Sequence, residues 1–332
     1  MAAYIVRRMI YMVILLVLLS IVSFVIIELP PGDYLTTMVN RLRDLGVTVD
    51  RAYLEAYEER YGLNLPLHER YLRWFGNLLQ GDLGESFIYD EPVADLIRER
   101  VVLSAIITLG TLLVTYIIAI PIGVYSATHQ YSPLDYFFTF LGFIGLAIPN
   151  FLLALVLMFL AFRLFGWSVG GLFSREFVAA PWSFAKFVDL LKHLPVPLIV
   201  IGTAGTASLI RVLRGSLLDE LRKQYVVTAR AKGVSERRLL FKYPFRVAIN
   251  PIISQIGYIL PMLVAGEALT SIVLSLPTVG PLLLQALQQQ DMYLAGSLLM
   301  VLGALAMLGI LISDILLVVV DPRIRFEAKE AA

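Results

Sequence analysis

Long apolar runs separated by short polar stretches dominate this chain. A helix needs ~20 mostly apolar residues to cross the hydrocarbon core of a bilayer. Six runs meet that length: Met9 to Glu28, roughly Val102 to Ala127, Tyr136 to Leu164, Leu194 to Leu213, Pro251 to Leu276 and Leu294 to Val320. The first follows Arg7 and Arg8 and ends in Pro30-Pro31-Gly32. It is too long for the apolar core of a signal peptide and lacks a small-residue cleavage pattern, so it reads as a retained span. Pro121, Pro149 and Pro261 fall inside spans two, three and five. Proline in a span is tolerated where neighbouring helices or water satisfy the freed carbonyl. These prolines fit kinked helices around a cavity, and they equally fit ordinary bundle packing.

Composition supports the pattern. The 332 residues are 58% hydrophobic and 16% charged, against ~25% charged for a soluble domain. That balance excludes an ordinary soluble enzyme and a disordered chain. Cysteine is absent, which excludes disulfide scaffolds, Cys-ligated zinc and thiolate catalysis. The net charge of +1 gives no bulk attraction to nucleic acid.

That small sum hides segregation. Residues 211–246 carry ten basic and three acidic residues, a net of +7, whereas residues 29–100 carry eight arginines and thirteen acids, a net of −5. Short loops rich in Lys and Arg stay in the cytoplasm. The 211–246 loop is therefore expected inside, and with six spans both termini follow. Arg7 and Arg8 at one end and Arg323 and Arg325 at the other agree. The 128–135 loop has neither Lys nor Arg and is silent on the question.

The soluble pieces have their own signals. In the external segment 29–100, Asp50 to Tyr61 has helical composition and Gly62 is a natural C-terminal stop. Pro66 opens a second helix through Leu79 that carries Arg70, Tyr71, Arg73 and Trp74. Arg70, Arg73 and Trp74 fit a ligand surface or, more simply, a helix lying on the membrane interface, where Trp and Tyr concentrate. The stretch from Gly166 to His193 is a loop with one short amphipathic helix from about Phe184 to Lys192.

The basic loop reads as a helix–turn–helix. Gly215 to Arg230 extends span four, Lys232-Gly233-Val234 turns, and Ser235 is the candidate N-cap of a helix from Glu236 to Tyr243, which Pro244 ends. Val226, Val227, Leu239, Leu240 and Phe241 beside the basic residues make an apolar knob rimmed by charge. Such an element suits a docking partner, or anionic lipid.

Chemistry-bearing motifs are few. There is no Walker A, G-x-G-x-x-G, H-E-x-x-H or G-x-S-x-G pattern. His68, His129 and His193 are scattered. Asn150, Glu267 and Asp314 are polar groups in or near spans, and ionisable groups there are costly and point to function. Glu267, mid-span after Gly266, fits a pathway or gating role or a structural hydrogen bond. The small-residue run Gly202-Thr-Ala-Gly205-Thr-Ala-Ser208 suits close helix packing, within this subunit or against another.

Arg211-Val-Leu-Arg214-Gly-Ser-Leu-Leu followed by Gln224-Tyr-Val-Val-Thr-Ala-Arg-Ala-Lys-Gly-Val-Ser-Glu-Arg-Arg238 resembles the cytoplasmic loop of binding-protein-dependent ABC importer permeases, of the dipeptide/oligopeptide/nickel family and its first permease subunit type. Tyr71-Leu-Arg-Trp74 with Gly81-Asp-Leu-Gly-Glu-Ser86, Ala147-Ile-Pro-Asn-Phe151, Gly266-Glu267 with Leu276-Pro-Thr-Val-Gly280, and Asp321-Pro-Arg-Ile-Arg325 resemble that family in the expected order.

The resemblance implies an all-α integral membrane protein: six transmembrane helices of the type I importer permease fold, with an external helical insertion between helices one and two. Residues 1–28 would be the cytoplasmic N-terminus and first helix, 29–100 the external segment, 101–320 the core with coupling loop 211–246, and 321–332 a cytoplasmic tail. It further implies a coupling helix seated on an ATPase subunit. The family's E-A-A-x-x-x-G motif falls on Val227, Thr228, Ala229 and Gly233, keeping alanine and glycine but not the glutamate. Arg230, Lys232 and Ser235 then supply polar contacts, and small Ala229 and Gly233 admit the partner closely. Pro149, Asn150 and Glu267 are the pathway candidates.

The implied chain is no enzyme and holds no cofactor; ATP and Mg would be bound by two partner ATPase subunits. A homologous second permease, an extracytoplasmic solute-binding protein and the lipid bilayer complete the partners, with no nucleic acid. The setting is the plasma membrane of a prokaryote, and the cargo is peptide. The same fold importing oligosaccharides or nickel complexes is the nearest alternative. A secondary transporter would need inverted repeats, and a membrane hydrolase would need a nucleophile–base or metal constellation; neither is visible in the sequence.

Overall fold

The computed structural model describes residues 2–29, 34–44, 62, 64–167, 169–255 and 268–320. Among them every regular element is helical, apart from one isolated bridge between Glu85 and Pro92. The helices are α1 (Ala2–Glu28), α2 (Tyr34–Asp44), α3 (Leu67–Leu79), α4 (Val93–Thr128), α5 (Pro133–Ala147), α6 (Asn150–Phe165), α7 (Phe184–His193), α8 (Pro195–Leu221), α9 (Gln224–Ala231), α10 (Glu236–Lys242), α11 (Pro244–Ala248), α12 (Ala268–Val273), α13 (Val279–Gln288) and α14 (Met292–Val320).

Among the described residues four helices are long and apolar enough to span a bilayer: Val6–Glu28, Val93–Thr128, Pro195–Leu221 and Met292–Leu317. The third expected span differs from a single kinked helix. It is two helices, α5 and α6, meeting at 102°, and counting them as one span gives five. The cause is local. Proline disfavours helical backbone at the residue before it, and Ile148, before Pro149, is extended at φ −88° and ψ 120°. The fifth expected span has described flanks only: residues 250–255 and α12 are helical. Pro261, Gly266 and Glu267 lie outside the described residues, as do the expected helix Asp50–Tyr61, Pro30-Pro31-Gly32 and the tail 321–332.

The chain divides into two compact units, residues 1–103 with 278–305, and 104–277 with 306–332. In the first, α3 packs on α1. The Tyr71 hydroxyl lies 2.9 Å from Ser20 Oγ, and Arg70 donates twice to the Glu28 carboxylate, at 2.9 and 2.7 Å. Trp74 is only 1% exposed, stacked on Phe24 with its ring against Gly296. It is therefore a core residue and not the interface anchor expected from the sequence. Its indole fills a space that the missing side chain of Gly296 leaves open.

In the second unit α8 is the central helix, packed by α5, α6, α7 and α11. Part of its small-residue run is used inside the subunit: Gly202 faces Thr111 and Thr115 of α4, and Thr203 faces Gly145 of α5, whereas Gly205 and Ser208 are exposed. An open apolar cleft of about 250 Å³ lies among α4, α5 and α8. The loop after α6 does hold the expected short helix. Ser183 Oγ accepts from Lys186 N at 3.2 Å to cap α7, and Asp189 accepts both the Ser174 amide and hydroxyl at 2.7 Å.

Candidate functional site

The site begins where α8 ends. Its extension stops at Leu221, earlier than the continuous helix to Arg230 expected from the sequence; Arg222 and Lys223 form a break before α9. Lys223 is extended at ψ 148°, which resets the chain direction.

Helix α9 ends in a Schellman turn. Val234 N donates to Ala229 O at 3.3 Å and Gly233 N to Arg230 O at 3.0 Å, the paired bonds that close a helix when the residue after the C-cap is left-handed. Gly233 has φ +77°, a region open to glycine and strained for residues with Cβ. Ser235 does sit at the N-cap of α10, but its side chain makes no capping bond.

The turn folds α9 back on α10, and the pair has its own small core. Val226 and Leu239 are fully buried, Ala229 is 8% exposed, and Val234 and Tyr243 pack against them. This corrects two expectations. Val226 and Leu239 are not part of an outward apolar knob. Ala229 is turned inward, where its small size lets α9 approach α10, and little of it faces outward. Leu240 is half-buried against the cluster built on Leu213, Leu217, Ala248 and Ile252.

The outward face keeps the other candidates. Val227, Thr228, Arg230, Lys232, Gly233 and Ser235 are exposed, with Tyr225 and Phe241 beside them. Arg230 is engaged within the hairpin: Nε donates to Glu236 Oε1 at 2.6 Å and Nη2 to Oε2 at 3.1 Å. The pair bridges the two helices across the turn. Arg230 holds the Glu236 carboxyl below the usual carboxylate range, but both side chains are open to water, where such pairs add little stability. The arrangement is a basic, self-supported hairpin with an apolar strip of Tyr225, Val227 and Phe241.

The pathway candidates fall elsewhere. Pro149 is the N-cap residue of α6 and is exposed, and Asn150 is the first residue of that helix, at the 102° bend. Glu267 lies outside the described residues. No group of His, Asp or Glu able to hold a metal occurs among the described residues. One feature that the sequence reading passed over is an ion pair beneath the hairpin, Arg214 with Asp135. A signal was present: an arginine at the end of an apolar span and an acid just after Ser132-Pro133.

The profile described as "Binding-protein-dependent transport system inner membrane component" matches residues 119–326, and its N-terminal companion matches residues 1–109. The oligopeptide transport system permease protein AppB of Bacillus subtilis is 37% identical, over 98% of this chain and 100% of its own length. The inner membrane ABC transporter permease protein YejB of Escherichia coli O157:H7 is 31% identical, over 99% of this chain and 100% of its own. The dipeptide transport system permease protein DppB of Alkalihalophilus pseudofirmus is 29% identical, over 98% of this chain and 100% of its own. With a basic hairpin following an apolar helix and a profile match over more than half of its length, the chain belongs to the family of binding-protein-dependent transport system inner membrane components.

Proposed function

We propose that this chain is one permease subunit of an ATP-driven importer, and that its cargo is peptide handed over by a solute-binding protein. The observation that carries the reading is the α9–α10 hairpin. A structure with its own buried core and an outward basic and apolar face moves as a body when a partner pushes it. The names of relatives matched over their full length, oligopeptide and dipeptide permeases among them, support peptide as cargo.

In this reading the outward face, with Val227, Thr228, Lys232, Gly233 and Ser235, seats in a groove of an ATPase subunit, while Arg230 stiffens the hairpin through Glu236. Ala229 serves from inside, as packing. A second, homologous permease supplies the other half of the pathway, and each permease takes one ATPase. ATP and Mg belong to those ATPases, and this chain performs no hydrolysis. Six spans with both termini in the cytoplasm fit the charge segregation of the loops, with residues 29–100 as the external insertion and 211–246 as the coupling loop. Pro149, Asn150 and Glu267 are pathway candidates, Pro149 and Asn150 because a 102° break in apolar helices leaves backbone groups that a polar pathway can satisfy.

The test is uptake. Proteoliposomes holding both permeases and both ATPases are given binding protein, labelled oligopeptide and ATP. The reading expects ATP-dependent accumulation of peptide. ATP-dependent uptake of an oligosaccharide or a nickel complex with no peptide uptake would reassign the cargo, and uptake driven by an ion gradient without ATP would overturn the mechanism.

A further inference from the structure

Beneath the hairpin, Arg214 of α8 donates from Nε to Asp135 Oδ1 at 2.9 Å and from Nη2 to Oδ2 at 2.8 Å. This is the two-pronged fit that fixes both distance and orientation. The Asp135 side chain is only 3% exposed and that of Arg214 26%. Asp135 also accepts from Tyr131 N at 3.0 Å, and Tyr131 is left-handed at φ +65°, so the carboxylate holds the 129–132 turn in a strained shape. Ser132 caps the same helix, accepting from Asp135 N at 3.2 Å.

The placement matters more than the bond. Arg214 lies on α8 near its end, just before the chain turns into α9. Leu213 and Leu217, on the same stretch, are fully buried against Ala119, Ala127, Ala248 and Ile252. The end of α8 is thus joined by packing to α11, which itself packs on α10. Asp135 sits in the first turn of α5, and α5 runs to the bend at Ile148 and Pro149. A second contact repeats the link, with Arg211, one turn back along α8, over the ring of Phe143, two turns on along α5, at 5.7 Å.

We infer that Asp135 and Arg214 are positioning residues for energy coupling: the pair transmits displacement of the α9–α10 hairpin through α8 to α5 and so to the α5–α6 bend. The inference rests on the permease reading above. Buried charge pairs are weak devices for stability, since apolar pairs of similar volume replace them at little cost. Their directional bonding suits a joint that must not slip.

The experiment measures peptide imported per ATP hydrolysed in the complete reconstituted complex, together with ATPase co-purification and melting of the complex. Asp135→Asn and Arg214→Gln are expected to lower the ratio about fivefold or more, the lower range of couplings between separate sites, with the ATPases still bound. Arg214→Lys restores part of the ratio. The double variant Asp135→Leu/Arg214→Met leaves no unpaired charge; it is expected to assemble and melt like the wild type and still couple poorly. A double variant with the wild-type ratio overturns the inference. One that fails to assemble also overturns it, because the pair then serves folding. A wild-type complex that neither hydrolyses ATP nor imports overturns the permease reading instead.

Discussion

The hydroxyl of Ser86 donates to the carboxylate of Asp291 at 2.6 Å, with both residues fully buried. The same carboxylate accepts from Ile88 N at 3.2 Å and from Leu294 N at 3.0 Å. The last is the N-cap bond of α14. One side chain therefore starts a membrane helix and holds the 85–92 segment. Removing an N-cap costs about 1 kcal/mol, and each donor left buried without a partner adds about 1–3 kcal/mol. Asp291→Ala is expected to destabilise the protein by about 3 kcal/mol. A melting temperature in detergent equal to that of the wild type would refute the account.

Asp291 also sets a pH dependence. Burial pushes its carboxyl above the usual range, against the pull of the bonds from Ser86, Leu294 and Ile88. The folded state then holds a proton that the unfolded state has already released. Stability falls as pH rises from the ordinary carboxylate value through the raised one. Asp291→Asn has no such titration. The wild type should lose melting temperature relative to Asp291→Asn as pH climbs through the acidic range. A constant gap, or a gap moving the other way, would contradict the direction assigned here.

Trp74 gives a spectroscopic test. It is 1% exposed, whereas Trp167 and Trp182 are 64% and 58% exposed. A Cβ on Gly296 would stand 2.7 Å from the Trp74 ring, so Gly296→Val must push the indole out of place. Overpacking of this kind costs about 1–3 kcal/mol. The buried, blue-shifted part of the emission should move to the red, and Trp74→Phe should remove it outright. Unchanged emission in Gly296→Val would mean that the indole is not seated on that glycine.

Much of this fold was legible because it depends on local pattern. Apolar run length marks the span-forming helices, and Pro66 and Gly233 mark ends that depend on one residue's backbone. What the sequence hid was pairing between distant positions. Trp74 looked like an interface anchor because nothing in its own helix announces Gly296. Ala229 looked like a docking surface because an eight-residue helix carries too few apolar positions to show which side is inward. Arg214 was read only as part of a motif, since its partner Asp135 lies far back in the chain. The Gly81–Ser86 stretch was recognisable as a signature, yet its cause needed the structure: a Cβ on Gly84 would collide with the Tyr293 ring.

Gly233 is constrained by backbone alone. Its φ of +77° is left-handed, and a Cβ there would meet nothing within 4 Å. Gly233→Ala should therefore cost about 1–2 kcal/mol of local hairpin stability, and Gly233→Asn less, because Asn tolerates that region. Faster amide exchange over residues 224–242 in Gly233→Ala than in Gly233→Asn is the expected order. Equal protection in both variants would show that the turn is not held left-handed.

The hairpin core separates folding of the site from folding of the membrane helices. Leu239 is fully buried, and its buried neighbours Val226 and Ala229 belong to the same hairpin. Truncating a buried leucine costs about 2–5 kcal/mol. Among the described residues the half-buried side chains packed on this cluster, Val234 and Tyr243, come from the turn and end of the same hairpin, so Leu239→Ala should open α9 and α10 locally while α8 stays packed on Ala119, Ala127 and Ala248. Limited proteolysis should then cut within residues 222–243, membrane insertion should be unchanged, and ATP-dependent uptake should be lost. Exposed Phe241→Ala removes apolar surface without touching the core, so it should weaken uptake with the hairpin still resistant to protease. If Leu239→Ala were as resistant as the wild type, the hairpin would be held by its partners and not by its own core, and the rigid-body view of coupling would have to be abandoned.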